Sequence, residues 1–98
     1  MSRYSIVSID NGSFGKGGSP RARGEYDSAD AALDRARELV DAALLEQVGR
    51  ATSAQALMGL YMTEGSEVPM IYGEPRVAFH AYQYAREKAN ALFAAPPA

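Results

Sequence analysis

Apolar and polar residues alternate at the start of the chain, from Tyr4 to Ile9. This period of two, together with several β-branched side chains, predicts a first strand with Tyr4 and Ile6 on the same side. Residues 10–20 are rich in glycine and include an Asn-Gly pair, a composition typical of a long loop. Residues 21–26 then predict the second strand of an antiparallel hairpin.

The hydrophobic period lengthens to three and four residues after Ser28, where the clearest helix of the chain is predicted. Asp27 or Ser28 is suited to accept hydrogen bonds from the first N–H groups of this helix, and Gly49 is a natural cap at its other end. The helix is predicted to run from residue 29 to about residue 48. Its expected apolar stripe consists of Leu33, Ala36, Val40, Ala43, Leu44 and Val48.

A second, shorter helix is predicted from Thr52 and Gln55, whose spacing matches a capping box. Its apolar face is expected to consist of Leu57, Leu60 and Tyr61. Gly59 lies inside this helix and costs it about 1 kcal/mol relative to alanine. We therefore expect another element to pack closely against Gly59.

Residues 68–72 predict a later strand, followed by a turn around Gly73. Pro69 cannot donate a hydrogen bond to a strand ladder, so this strand is expected at the edge of its sheet.

A last helix is predicted to begin after His80, which takes the N-cap position. Gln83 has the spacing of the capping-box partner, and Phe79 is placed to pack against Tyr84 as a hydrophobic staple. The residues that follow, 95–98, contain two prolines and predict a frayed tail.

These elements predict an α+β fold with the order β-β-α-α-β-α. The N-terminal hairpin and the later strand would form a small antiparallel sheet, with the three helices mainly on one side. We expect residues 1–94 to form a single domain, because 98 residues are too few for two independent cores.

Four short motifs give the chain a resemblance to a group of small bacterial α+β proteins of unknown activity. The motifs are Gly24–Ser28 before an Ala-rich helix, Thr52–Gln55, Glu64–Pro69 and Phe79–Glu87. In similar sequences the last motif reads Phe-Ser-Ala-Trp-Asp-Tyr-Ala, so His80, Tyr82 and Gln83 are departures from it. The resemblance implies an architecture and carries no activity to these residues.

The composition is that of a folded globular chain, with 47% hydrophobic and 22% charged residues. The absence of cysteine excludes disulfides, thiolate metal sites and thiol nucleophiles. The chain has no apolar run long enough for a signal peptide or a membrane span, which predicts a cytoplasmic protein. Because a chain of this size buries a modest fraction of its surface, self-association as a homodimer is expected to add stability.

The net charge of −2 is unevenly distributed. The residues up to Gly24 are net basic, and residues 25–49 are net acidic. No region reaches the basic composition typical of nucleic-acid binders, so a nucleic-acid partner is not expected.

The glycine-rich segment 12–19 superficially resembles a phosphate-binding loop, but its spacing does not match the P-loop pattern. We interpret it as a hairpin loop; a weak anion or nucleic-acid contact through Lys16, Arg21 and Arg23 is the alternative. The first helix also carries a row of carboxylates, which we interpret as a solvated face: Asp30, Asp34, Glu38 and Asp41.

His80 is the only histidine, and no nucleophile or ligand set accompanies it in the sequence. We interpret it as a capping or surface residue. No catalytic residue, cofactor or metal ion is predicted.

Aromatic residues are concentrated in the second half of the chain, and large rigid rings are typical of cores and of protein interfaces. The favoured hypothesis is a non-enzymatic protein-interaction or accessory domain that self-associates. The alternative is a module that binds a small anionic ligand near the start of the last helix. The candidate ligand or interface residues are Arg76, Phe79, His80, Tyr82 and Tyr84.

Overall fold

A computed structural model describes residues 3–9, 20–64 and 67–94. The elements are β1 (Tyr4–Ile9), β2 (Arg21–Tyr26), α1 (Ala29–Gln47), α2 (Ala54–Glu64), β3 (Val68–Gly73) and α3 (Ala81–Leu92). The predicted α+β class and the order β-β-α-α-β-α are therefore confirmed. The predicted glycine-rich loop at 10–20, apart from residue 20, and the predicted tail at 95–98 lie outside the described residues.

The sheet has three strands in the order β2-β1-β3, and β1 is antiparallel to both neighbours. Tyr4, Ile6 and Ser8 are buried on one face of β1, while the residues between them are partly exposed. Two residues of β2, Arg23 and Gly24, lie opposite the single residue Ile6 of β1, which makes a β-bulge. Gly24 has a φ of 106°, a conformation that favours glycine.

Helix α1 begins as the sequence predicts, because Ser28 Oγ accepts a hydrogen bond from the Ala31 N–H at 3.1 Å. The predicted glycine cap at its end is wrong. The chain continues from α1 into a 3₁₀ turn, Val48–Arg50, which the Ala51 N–H closes by bonding to the Val48 carbonyl at 3.2 Å. A 3₁₀ turn is right-handed like the α-helix before it, so none of its residues needs the left-handed backbone conformation that glycine favours. Gly49 therefore does not act as a helix cap.

The predicted start of α2 is wrong by one residue. Ser53, not Thr52, caps the helix, since its Oγ accepts from the Ala56 N–H at 3.1 Å. At α3 the predicted N-cap position of His80 is confirmed by the bond from the Tyr84 N–H to the His80 carbonyl at 3.0 Å. The His80 side chain makes no capping bond.

The buried side chains form two clusters that meet at Phe79. The larger cluster joins the three helices and consists of Val40, Ala43, Leu44, Leu57, Met58, Tyr61, Ala81, Ala85 and Ala89. The smaller cluster joins α1 to the sheet and consists of Ile6, Ala36 and Leu39. The buried face of α3 contains only alanines, which let this helix approach its neighbours closely.

The end of β3 is held tightly against the start of β1. Tyr4 is buried, and its hydroxyl donates a hydrogen bond to the Pro75 carbonyl at 2.7 Å. Gly73 lies so close that a Cβ there would overlap the Arg3 carbonyl oxygen and the Tyr4 ring. This contact sets the direction in which the chain leaves β3 toward α3.

Gly73→Ala is expected to lower the free energy of unfolding by about 1–3 kcal/mol, because the added methyl group meets a backbone atom that cannot rotate away. Gly49→Ala is the matched control, since a Cβ at Gly49 meets nothing within 4 Å. Urea denaturation of both variants measures the difference. Equal effects of the two substitutions would contradict the close approach at Gly73.

Candidate functional site

The candidate residues lie around the start of α3. Arg76, Phe79 and His80 belong to the segment that joins β3 to α3; Arg76 and His80 are exposed and Phe79 is half-buried. Tyr82 and Tyr84 lie in the first turn of α3 and point to different neighbours: Tyr82 contacts α2 and Tyr84 contacts α1. The structure thus brings the first three together and separates the two tyrosines.

Tyr84 makes internal contacts. Its ring lies 5.9 Å from that of Phe79, which confirms the predicted staple, and its hydroxyl donates to Asp41 Oδ1 at 2.8 Å. The row of carboxylates on α1 was predicted to be solvated, and Asp41 is so only in part, because it is half-buried and accepts this bond. Burial, followed by the hydrogen bond to Asp41, raises the pKa of Tyr84 to about 12.

Tyr82 combines an internal contact with an exposed surface. Its ring meets that of Tyr61 edge-on at 5.9 Å, and 40% of the residue remains exposed. Tyr61 is fully buried and donates its hydroxyl proton to the Glu67 carbonyl at 2.6 Å. Burial raises the pKa of Tyr61, so this phenol stays a neutral donor.

Two adjoining cavities follow β3, with volumes of about 410 and 490 Å³. The first is lined by residues 70–72 and 76–80, and the second by residues 68–70 and 79–83. Successive residues of a strand point to opposite faces, so three in a row can line one cavity only at the strand's edge. We call the two cavities together the edge groove.

The outer edge of β3 has no backbone partner among the described residues. Its sequence, Val-Pro-Met-Ile-Tyr-Gly, contains no charge, whereas the other edge strand, β2, carries two arginines, a glutamate and the bulge. Charges and bulges protect an edge from strand addition. The sheet thus has one protected edge and one open edge.

A second surface lies between α2 and α3, where a groove of about 500 Å³ is found. We call it the α2–α3 face; it is formed by Ala54, Gln55, Met58, Gly59 and Met62 from α2 and by Arg86 and Asn90 from α3. Tyr82 lies one turn before Arg86 and continues this face. Met62 and Tyr82 are its large exposed apolar residues, at 52% and 40% exposure.

Gly59 is exposed, and a Cβ built on it would meet no atom of the described residues within 4 Å. The prediction that another element of the chain packs against Gly59 is therefore wrong for the described residues. Helix propensity marks Gly59 in the sequence, but no sequence pattern marks Met58 or Met62 beside it.

Arg23 and Glu67 form an ion pair that connects the β2 bulge to the start of β3. Glu67 is 8% exposed, and Arg23 is half-buried. On the middle strand, Ser8 is buried, and its hydroxyl has no hydrogen-bond partner among the described residues. The pair ties the two edge strands together across β1, so we assign it a structural role.

Among residues 3–9, 20–64 and 67–94, no three His, Cys, Asp or Glu side chains come together in a way that could hold a metal ion. In the same ranges, no helix is both long and apolar enough to cross a membrane.

Comparison of the chain with protein families, curated proteins and solved structures finds no significant match in any of the three. The surfaces of the fold are therefore the basis for a functional proposal.

The free energy of unfolding is expected to fall as the pH rises from about 10 to about 12. The folded protein holds the Tyr84 proton more tightly than the unfolded chain, so the stability it provides is complete below pH 10 and is lost as pH passes the folded pKa. Tyr84→Phe removes this phenol and is expected to flatten the decline. Denaturant titrations across this pH range measure the free energy of unfolding. If it falls with pH as steeply in Tyr84→Phe as in the wild type, the raised pKa of Tyr84 is contradicted.

Proposed function

We propose that this protein is a non-enzymatic interaction domain that associates with a second copy of itself through the α2–α3 face. The observation that carries the proposal is the open space above Gly59. Two further features support it, the exposed apolar side chains around that glycine and the shortage of charge in the groove.

Glycine inside a helix destabilises it by about 1 kcal/mol relative to alanine. Within the described chain nothing offsets this cost at Gly59, because its φ is not positive and no atom lies where a Cβ would stand. A glycine on an exposed face does allow the backbone of another helix to come close. The position is explained if that helix belongs to another molecule.

The surroundings of Gly59 have the character of an interface centre. Met58 is the buried methionine of the groove, and Met62 is its exposed one. Tyr82, one turn before Arg86 on α3, is also exposed. Methionine adapts to irregular partners, and tyrosine and methionine are enriched at interfaces. Arg86 is the one charged residue among the described residues that line the groove, in keeping with the depletion of charge at interface cores.

A second copy is the partner we favour. In a twofold dimer the same patch serves both sides, so a single glycine on α2 allows close approach from both copies when the two helices cross at Gly59. A small domain also gains most from such burial, because its own core covers a limited fraction of its surface.

Gly59→Ala is expected to stabilise the monomer by up to about 1 kcal/mol and at the same time to weaken the dimer at least about tenfold. The methyl group improves helix propensity without any clash inside the chain, but it separates the two helices at their crossing. Sedimentation equilibrium measures association, and urea denaturation at low concentration measures the monomer. A monomeric wild type at high micromolar concentration would reject the proposal, and an unchanged dimer in Gly59→Ala would move the contact away from α2.

Met62→Lys is expected to weaken the dimer by about 2 kcal/mol, the effect of a central interface residue, because it places a charge in the apolar contact. Leu45→Lys is the matched control, since Leu45 is equally exposed, at 57%, but lies on α1 outside the face. Sedimentation compares the two variants. Equal weakening by both would indicate a nonspecific effect of the added charge.

The alternative function, a module for a small anionic ligand, is supported by one observation: Arg76 and His80 line the same 410 Å³ cavity. Tyr82, another of the candidate residues, lines the adjoining cavity instead. Because these cavities run along a strand edge, their shape suits an extended molecule better than a compact ion. We therefore favour self-association.

A further inference from the structure

We infer that the edge groove is a second interaction site, which binds an extended peptide segment carrying an acidic residue. This site borders the α2–α3 face at Tyr82, which lines the groove, and it takes a different class of partner. The inference rests on the open backbone edge of β3, the length and apolar lining of the groove, and the sign of its charge.

The backbone of β3 offers the first part of a binding site. Its inner edge pairs with β1 from Val68 to Gly73, and no backbone group among the described residues pairs with its outer edge. An extended peptide can add to such an edge by the same hydrogen bonds that join the strands of a sheet. Pro69 lacks an N–H, so it can only accept there.

The walls of the groove offer the second part. The two cavities share Met70, Phe79 and His80, so they form a continuous path from Val68 to Tyr72. Residues 76–83 form the opposite wall. The lining is mainly apolar and suits the alternating side chains of a strand.

The charge of the lining selects the partner. Arg76 is exposed at the Tyr72 end. Of the described residues that line the two cavities, Arg76 alone carries a full charge, and none is a carboxylate. A peptide with Asp or Glu at that end would form a charge-assisted hydrogen bond with the guanidinium. A second copy of β3 carries no charge to meet Arg76, which favours a different chain as the occupant.

The test uses two synthetic fluorescein-labelled peptide sets with alternating valine and threonine and an amidated end. One set terminates in glutamates and the other in lysines. Fluorescence anisotropy with the full chain is expected to show tighter binding of the glutamate set, and Arg76→Glu is expected to reverse the preference. The loss of one charge-assisted contact corresponds to about a tenfold change in affinity. Arg35→Glu is the matched control, because it makes the same charge change on the exposed face of α1.

Amide hydrogen exchange gives a second readout that a simple charge attraction would not produce. Binding of the glutamate set is expected to slow exchange of β3 amides, and peptides N-methylated at alternate positions are expected not to bind. The inference is overturned if neither set binds, if Arg76→Glu keeps the wild-type preference, or if β3 exchange is unchanged by bound peptide. It is also overturned if β3 becomes protected with rising protein concentration alone, since a second copy would then occupy the edge.

Discussion

The fold depends on α1 being buried on two sides. Ala36 and Leu39 pack on Ile6 of the central strand, while Val40, Ala43 and Leu44 pack on the other two helices. A helix that serves both a sheet and a helix pair needs small residues where the approach is closest, and both α1 and α3 place alanines there. Three strands and three short helices can then share a continuous core, which a small domain needs for stability.

Phe79 connects this core to the surface. It contacts both buried clusters, so the segment between β3 and α3 is held against the body of the domain. The bond from Tyr4 to Pro75 fixes one end of that segment, and the bond from Tyr84 to Asp41 fixes the other. The groove beside β3 therefore has two supported walls, one of strand and one of anchored chain.

The two proposed surfaces expose different kinds of groups to solvent. The α2–α3 face exposes apolar side chains and Gly59, which another helix can cover. The edge groove leaves backbone hydrogen-bonding groups, which another extended chain can pair. Tyr82 belongs to both surfaces, because it continues the first and lines the second. Self-association and peptide binding would thus meet at one residue of α3.

The sequence by itself determined the elements, their order and the residues that begin α1 and α3. Periodicity and helix starts are local, so Ser28, His80 and the Phe79–Tyr84 staple could be read from neighbouring residues. The wrong cap at Thr52 arose because two adjacent residues, Thr52 and Ser53, could each begin the helix. The wrong cap at Gly49 arose because the chain continues from α1 into a 3₁₀ turn. Only the tertiary structure decided what each surface faces. Pro69 already predicted that β3 is an edge strand, and the sheet order confirms it. By contrast, Asp41 acquires its hydrogen-bond partner from a residue 43 positions away on another helix, and Gly59 faces open space among the described residues instead of a neighbour. These two features depend on how distant segments pack. Hydrophobic patterning along a chain indicates which face of an element is buried, but it does not indicate which other element packs against that face.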